Sequence, residues 1–168
     1  LNALIKLNGI RKDQVLAYHI GFVIGPCLNA SGRLHTAKKA VEMFMADDRE
    51  VAERYAGELK DLNDERKRLT IEATQMGIEA VENGPMINDK VLVVFLPDCH
   101  ESIAGIVAGK IKEKFYRPTI VLTRAEEGIK GSARSIESYN IFEKLLECKD
   151  LLTKFGGHPM AAGLSLDE

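Results

Sequence analysis

The stretch from Asp47 to Gly84 has the pattern of one unusually long helix. Asp47 stands three residues before Glu50, an arrangement that caps a helix start, and residues 83–85, Asn-Gly-Pro, form a stop signal. The sequence between them would make a helix of about 36 residues, roughly 54 Å long at 1.5 Å per residue. A domain of this size does not need so long a helix. We therefore expect it to cross the gap between two domains.

A narrow, mostly apolar seam runs along this predicted helix at alternating steps of four and three residues. Its positions are Tyr55, Leu59, Leu62, Arg66, Leu69, Ala73, Met76 and Ala80. A coiled-coil dimerisation helix is the alternative interpretation. Arg66 on the seam and the interior residues Gly57 and Gly77 count against it.

The segments on either side of the long helix differ in pattern. Residues 1–46 read as short helices broken by Gly21, Gly25-Pro26 and Gly32. After Pro85 the pattern predicts a buried strand at 90–96, a helix at 101–115, strands at 117–123 and 128–136, a helix at 140–152 and a last strand at 161–168. We predict an α/β fold with a helical N-terminal part (1–46), a long connecting helix (47–84) and a small domain with a mixed sheet (85–168).

Composition excludes several classes of protein. The formal net charge of −2 gives no overall basic surface for nucleic acid, so any such surface must be local. No apolar run approaches the length that spans a bilayer, and we expect a soluble, cytoplasmic protein without membrane contact. The three cysteines, Cys27, Cys99 and Cys148, lack a C-x-x-C pair, so we expect small buried residues rather than disulfides or a zinc site.

The segment KFGGHPMAAG, residues 154–163, is the first candidate for binding chemistry. Without Cβ atoms, Gly156 and Gly157 can turn their amides toward one point and form a nest for phosphate oxygens. His158 would add a donor whose charge responds to that phosphate. A helix C-cap followed by a turn is the alternative interpretation of the two glycines.

The segment KGSARS, residues 130–135, is the second candidate. On a strand, Ser132 and Arg134 point to the same face, with Lys130 two residues further back. A guanidinium beside a hydroxyl suits bidentate phosphate recognition. An exposed, solvated strand face is the alternative.

Two further segments carry polar residues among small ones. Asn29 and Arg33 lie in GPCLNASGRL, which we interpret as a small-residue loop that permits close approach to a ligand or to another domain. His100 stands at the start of the helix predicted at 101–115, where free amides favour anions. No Asp-x-Asp or His-x-x-x-His grouping, P-loop or nucleophile elbow is present, so we predict phosphate capture and no metal bound by this chain.

In order and together, GPCLNASGRL, HESIAGIVAGKIKEKFYRPTIVL, KGSARSI and FGGHPMAAGLSL resemble the C-terminal half of the DHH/DHHA1 phosphodiesterase family, and within it the RecJ-type single-strand-specific exonucleases. The resemblance covers nearly the whole chain. It implies that residues 1–46 are the C-terminal remnant of a DHH domain, that 47–84 are the interdomain helix, and that 85–168 are a DHHA1 domain. The Asp-rich motifs and the Asp-His-His triplet of the family are missing, so we expect a fragment that is inactive alone.

The resemblance also implies roles for individual residues. Gly156, Gly157 and His158 match the motif that holds substrate phosphate opposite the metals, and His158 is the expected catalytic residue. Ser132 and Arg134 match the motif that receives the 5′ phosphate. Asn29 and Arg33 fall in a segment that faces the cleft and would help to position the strand. His100 matches a family histidine, although Cys99 replaces the aromatic residue often found before it.

For a complete protein, the resemblance implies 5′-to-3′ hydrolysis of single-stranded DNA that carries a 5′ phosphate, with Mn²⁺ or Mg²⁺ held by the missing DHH domain. It also implies roles in DNA repair and recombination, with a single-strand-binding protein and a helicase as possible partners. Two alternatives stay open. One is a DHH/DHHA1 phosphodiesterase for oligonucleotides or cyclic dinucleotides, and the other is a non-catalytic nucleic-acid-binding module like the one appended to alanyl-tRNA synthetase.

Overall fold

The structure, a computed structural model that describes residues 1–167, divides into two units that are each compact, Leu1–Arg68 and Leu69–Glu168. The division falls inside a helix that spans Arg49–Glu82. This confirms the long helix predicted from the capping and seam pattern. The three-part domain division at residues 46 and 84 stays a prediction.

Helices make up the first unit, and its core forms where they meet. Leu4, Ile24, Cys27, Met43 and Leu59 are among its buried residues. The elements are α1 (Asn2–Leu7), a 3₁₀ turn (Lys12–Gln14), α2 (Ala17–His19), a π turn (Ile20–Ile24), α3 (Gly25–Leu34), α4 (Lys38–Met45) and the first part of α5 (Arg49–Glu82).

The predicted breaks at Gly21, Gly25-Pro26 and Gly32 are all wrong, because α2, the π turn and α3 form one continuous helical run. Pro26 has no N–H to donate, and in a regular α-helix its ring would clash with the carbonyl four residues earlier. Here the N–H of Gly25 donates to the carbonyl of Ile20, five residues back, so the helix widens just before the proline. A Cβ on Gly25 would lie 2.9 Å from that same oxygen. The segment GPCLNASGRL is thus a helix, not the predicted loop.

The start of α5 differs by one position from the prediction, and its buried face matches the predicted seam at Leu59 and Ala73 but is shifted by one residue elsewhere. The Oδ1 of Asp48, not of Asp47, accepts hydrogen bonds from the N–H groups of Glu50 (2.8 Å) and Val51 (3.0 Å). Met76 on the predicted seam is 52% exposed. The buried positions are Ala56, Leu59, Asn63, Thr70, Ala73, Gly77 and Val81. The sequence did not reveal this buried face, because it includes small and polar residues such as Asn63 and Gly77, which do not contribute to an apolar pattern.

The second unit contains a five-stranded sheet in the order β1-β2-β3-β5-β4. β1 and β2 are parallel and all other neighbours are antiparallel, which confirms the mixed sheet and the α/β fold class. Its elements are a 3₁₀ turn (Pro85–Asn88), β1 (Leu92–Phe95), α6 (Glu101–Phe115), β2 (Thr119–Arg124), β3 (Ile129–Arg134), α7 (Ile141–Glu147), a 3₁₀ turn (Lys149–Leu151), β4 (Lys154–His158) and β5 (Ala161–Leu166).

Each face of the sheet has its own core. On one face α6 packs with the end of α5 over residues such as Leu92, Val94 and Val121. On the other face α7 packs over Ala133, Ala162 and Leu164. The alternation along β3 and β5 assigns successive residues to the two faces.

Two predictions about the strands are wrong. Residues 154–158 form a strand that the sequence did not reveal, so the sheet has five strands where the pattern predicted four. The first strand was expected to be buried. Instead Val93 is 49% and Phe95 46% exposed, because they lie on the α7 face at the edge strand β1.

Candidate nucleic-acid interface

Arg134 and His158 share one face of the sheet. Arg134 on β3 pairs with Ala161 on β5, and His158 on β4 pairs with the same Ala161. Directly opposed residues of antiparallel strands point to the same side. The two Cα positions are therefore separated by two strand spacings, about 10 Å, with only a methyl side chain between them.

A second row of residues lies beside this one and forms an open floor. Ser132 pairs with Gly163, which pairs with Gly156. A Cβ on Gly156 or on Gly163 would meet no atom within 4 Å, and both glycines are exposed. Their missing side chains thus leave free space on the face that carries Arg134 and His158.

The guanidinium of Arg134 is oriented toward this floor. Its Nη1 donates to the Oγ of Ser132 (3.2 Å) and to the carbonyl of Ala133 (2.8 Å). Gly105 on α6 permits this arrangement, because a Cβ there would lie 2.6 Å from Nη2 of Arg134 and 2.8 Å from Oγ of Ser132. The hydroxyl and the guanidinium lie side by side, as the alternation of the strand predicts.

The predicted phosphate nest at Gly156 and Gly157 is wrong in its geometry. Both glycines belong to the extended strand β4, paired with β5, so successive amides do not converge on one point. Gly157 is required for a different reason: a Cβ there would lie 2.4 Å from the carbonyl oxygen of Ala161 and 2.6 Å from the Cα of Ala162. One glycine therefore leaves room for a ligand and the other permits close strand packing.

The imidazole of His158 is exposed and held by one hydrogen bond. Its Nδ1 accepts from the backbone N–H of Met160 at 3.3 Å. An accepting Nδ1 places the proton of the neutral ring on Nε2. Nε2 is then a hydrogen-bond donor in either charge state of the ring.

Basic and hydroxyl side chains form a third row. Lys130, Ser165 and Lys154 are cross-strand partners on the same face. The Nζ of Lys130 lies 2.6 Å from a carboxylate oxygen of Glu101, and this hydrogen bond raises the pKa of the lysine. Sequence reasoning missed Lys154, Ser165 and Gly163, because their position in the rows depends on the β4–β5 register.

Two cavities open on this side of the unit. One of about 390 Å³ lies against the start of α6 and β3, with Ser102, Lys130, Ser132 and Ser165 in its lining. The other, about 1000 Å³, has both basic and acidic residues in its lining, including His100, Lys130, Lys154 and Asp98. The row of Arg134 and His158 and the row of Lys130 and Lys154 thus border a surface of mixed charge.

His100 is the N-cap of α6. Its Nδ1 accepts from the backbone N–H of Ser102 (3.3 Å) and lies 2.7 Å from the hydroxyl of the same residue. This structural contact accounts for a histidine at the position, and a substrate role stays a prediction.

Asn29 and Arg33 lie in the first unit, exposed and one turn apart on α3. The i, i+4 spacing places them on the same helix face. Their predicted role in positioning a strand stays a prediction.

Among residues 1–167, no group of three or more His, Cys, Asp or Glu side chains could hold a metal ion. In the same range, no helix is both long enough and apolar enough to cross a membrane. The cysteines are free; Cys27 and Cys99 are buried as predicted, and Cys148 is partly exposed.

Comparison with known proteins gives matches along the whole chain. The DHHA1 domain model matches residues 88–168. The single-stranded-DNA-specific exonuclease RecJ of Bacillus subtilis is 45% identical over 99% of the chain, which covers 21% of that protein. The RecJ of Salmonella typhimurium is 36% identical over 100% of the chain, which covers 30% of that protein.

Solved structures agree with these matches. The crystal structure of RecJ from Thermus thermophilus in complex with Mg²⁺ has a TM-score of 0.86 and 31% identity, over 99% of this chain and 25% of that one. A structure of exonuclease RecJ bound to manganese has a TM-score of 0.85 and 32% identity, over 98% of this chain and 40% of that one. The chain thus spans well under half the length of these relatives.

Proposed function

Because the chain belongs to the RecJ family and its residues 88–168 are a DHHA1 domain, we propose that it is the substrate-gripping part of an exonuclease specific for single-stranded DNA. The observation that carries the proposal is the shared row of Arg134 and His158 beside the open glycine floor. A guanidinium and an imidazole on one face, with free space next to them, suit a chain of phosphates.

Each residue of the site has a distinct task in this proposal. Arg134, aligned with Ser132, binds the 5′ phosphate through its planar N–H fork. His158 donates from Nε2 to the next phosphodiester, because its Nδ1 is engaged by Met160. Gly156 and Gly163, in the next row of the sheet, leave room for the nucleoside beside these two contacts. The role of the site is to hold and orient the strand for 5′-to-3′ hydrolysis.

The metal ions of the reaction would be held outside the residues described here. Two RecJ structures similar to this chain are described as complexes with Mg²⁺ and with Mn²⁺, and we propose a divalent-metal cofactor for the complete protein. The side chains of residues 1–167 do not fit such a site. We therefore assign binding and orientation, and no step of the chemistry at the metals, to this chain.

The cellular setting that we propose follows from the same substrate. A nuclease for single strands would act in DNA repair and recombination in the cytoplasm, on DNA delivered by a helicase and covered by a single-strand-binding protein. The match of the first 87 residues to RecJ proteins favours this function over a free-standing DHHA1-like binding module.

The test is the exonuclease rate of the full-length protein on single-stranded DNA with a 5′ phosphate. Arg134→Ala and His158→Ala should each lower kcat/KM by about 10² to 10³, the usual effect of losing one pre-organised donor. Thermal unfolding should change little, since His158 is exposed and Arg134 is only partly buried beside α6. Lys144→Ala is the matched control, because this lysine pairs with Glu147 on α7, on the other face of the sheet.

Substrates with and without the 5′ phosphate separate the two tasks. Arg134→Ala should remove most of the preference for the phosphorylated strand, whereas His158→Ala should slow both substrates equally. Rates close to wild type for both variants would refute the proposal.

A further inference from the structure

Gly105 lies in the interior of α6, four residues after the helix begins. Glycine makes a helix less stable than alanine does, because its backbone loses more freedom on folding. A second glycine, Gly109, lies one turn later on the same line of the helix, and both are partly exposed. A Cβ on Gly109 would meet no neighbouring atom within 4 Å. Packing therefore does not require a glycine at position 109.

Packing does require one at position 105. A Cβ on Gly105 would lie 2.6 Å from Nη2 and 3.2 Å from Cζ of Arg134, and 2.8 Å from Oγ of Ser132. Non-bonded heavy atoms attract one another at about 3.5–4.0 Å, so these distances are overlaps. All three atoms belong to the two residues for which we propose a contact with the 5′ phosphate.

The overlap would fall on atoms that can move. The guanidinium lies at the end of a long side chain with several rotatable bonds, and a serine hydroxyl turns about a single bond. At Gly157, in contrast, a Cβ would meet backbone atoms of β5. Gly105→Ala should therefore displace the guanidinium and leave the strands in place.

The guanidinium would leave the position in which it is aligned with Ser132. There its Nη1 donates to the Oγ of Ser132 at 3.2 Å and to the carbonyl of Ala133 at 2.8 Å. Arg134 is partly buried, with α6 against one side of the guanidinium. Bidentate binding needs two N–H groups of the fork in line with two phosphate oxygens, so a displacement of about 1 Å weakens it strongly.

We propose that Gly105 is a positioning residue that sets the preference for a 5′ phosphate, because it leaves the space against α6 in which the guanidinium of Arg134 lies. The inference rests on the proposed function, which gives Arg134 its ligand. It adds a residue of α6 to a site whose other residues lie on β3, β4 and β5. Gly105 acts through Arg134 and needs no contact with the substrate.

The test compares Gly105→Ala with Gly109→Ala in the full-length protein. The value of kcat/KM is measured on single-stranded DNA with a 5′ phosphate and on the same strand with a 5′ hydroxyl. The ratio of the two values does not depend on the fraction of enzyme that is folded, so a loss of stability alone leaves it unchanged. Gly105→Ala should lower this ratio by about 10- to 100-fold. Gly109→Ala, the matched control, should keep the wild-type ratio.

A double variant tests whether the effect passes through the guanidinium. Arg134→Ala removes the group that Gly105→Ala would displace. In the Arg134→Ala background, Gly105→Ala should therefore lower the ratio no further. The inference is overturned if Gly105→Ala costs as much in this background as in the wild type, or if the single variant retains the wild-type ratio.

Unfolding midpoints complete the test. Gly109→Ala should raise the midpoint, because alanine favours the helix. If Gly105→Ala lowers it, addition of Arg134→Ala should restore it, since the overlap is with the guanidinium. A midpoint that stays low would place the overlap elsewhere and contradict the inference. A preference for the phosphate that survives Arg134→Ala is a distinct result, because it refutes the proposed role of Arg134 and the inference with it.

Discussion

The two faces of the sheet in the second unit are formed by the same strands but differ in role. One face packs in the α7 core, and the other carries the residues of the candidate binding surface. Along β3, Ala133 is buried against α7, while Ser132 and Arg134 on either side of it point to the α6 face. Along β5, Leu164 is buried, while Gly163 is exposed and Ser165 partly exposed. Residues that pack in the core thus alternate along each strand with residues that face the proposed binding surface. Mutation of the first kind should lower stability, and mutation of the second kind should lower substrate binding.

The largest expected effect on stability is at Leu164. Leu164→Ala removes a buried side chain from the α7 face and should lower the free energy of unfolding by about 2–5 kcal/mol. Ser165→Ala, one residue later on the other face, should change it by less than about 0.5 kcal/mol. Urea unfolding of both variants measures the difference. Equal losses would show that the two faces do not divide these tasks.

A smaller effect is expected at the two adjacent glycines of β4. A Cβ on Gly157 would overlap the backbone of Ala161 and Ala162, so Gly157→Ala should destabilise the protein by about 1–3 kcal/mol. Gly156→Ala places its methyl group in open space and should leave the unfolding midpoint unchanged, while it lowers the exonuclease rate by intruding on the floor. A reversed order of midpoints would contradict the strand geometry.

The prediction for Cys99, in the core below α6, requires no mutation and therefore changes neither the stability nor the activity of the protein. Burial raises the pKa of its thiol to about 11. Because the thiolate is the reactive form, alkylation of Cys99 by iodoacetamide at pH 8 should be roughly 100-fold slower in the native protein than in urea. Peptide mass spectrometry follows the modification. Similar native and unfolded rates would show that the α6 core is open to solvent.

The sequence predicted well those elements whose side chains show a clear periodic pattern, either the apolar repeat of a helix or the alternation of a strand. α6 begins and ends where predicted, at Glu101 and Phe115, because its apolar face repeats without interruption. The adjacency of Ser132 and Arg134 followed from strand alternation alone. In both cases the information is local, so no partner element was needed to obtain it.

Elements that depend on a distant partner were missed. Gly156 and Gly157 have no side chains to show an alternating pattern, and β4 exists because β5 provides its hydrogen-bonding partner. The floor at Gly163 and the row that includes Lys154 and Ser165 follow from that register. The seam of α5 was misplaced because Asn63 and Gly77 occupy buried positions that are usually apolar.

The π turn at Ile20–Ile24 has a consequence for how this chain can change in evolution. Each residue of a helix rotates the following side chains by about 100°, and a π turn accommodates one residue more than an α turn. Deletion of one residue within it, together with replacement of Pro26, whose ring a regular helix would not accept, would let the turn close as a regular α-helix while the helix continues. Residues before and after the turn would keep their orientations, so the length of the chain can vary here without redirecting Asn29 and Arg33.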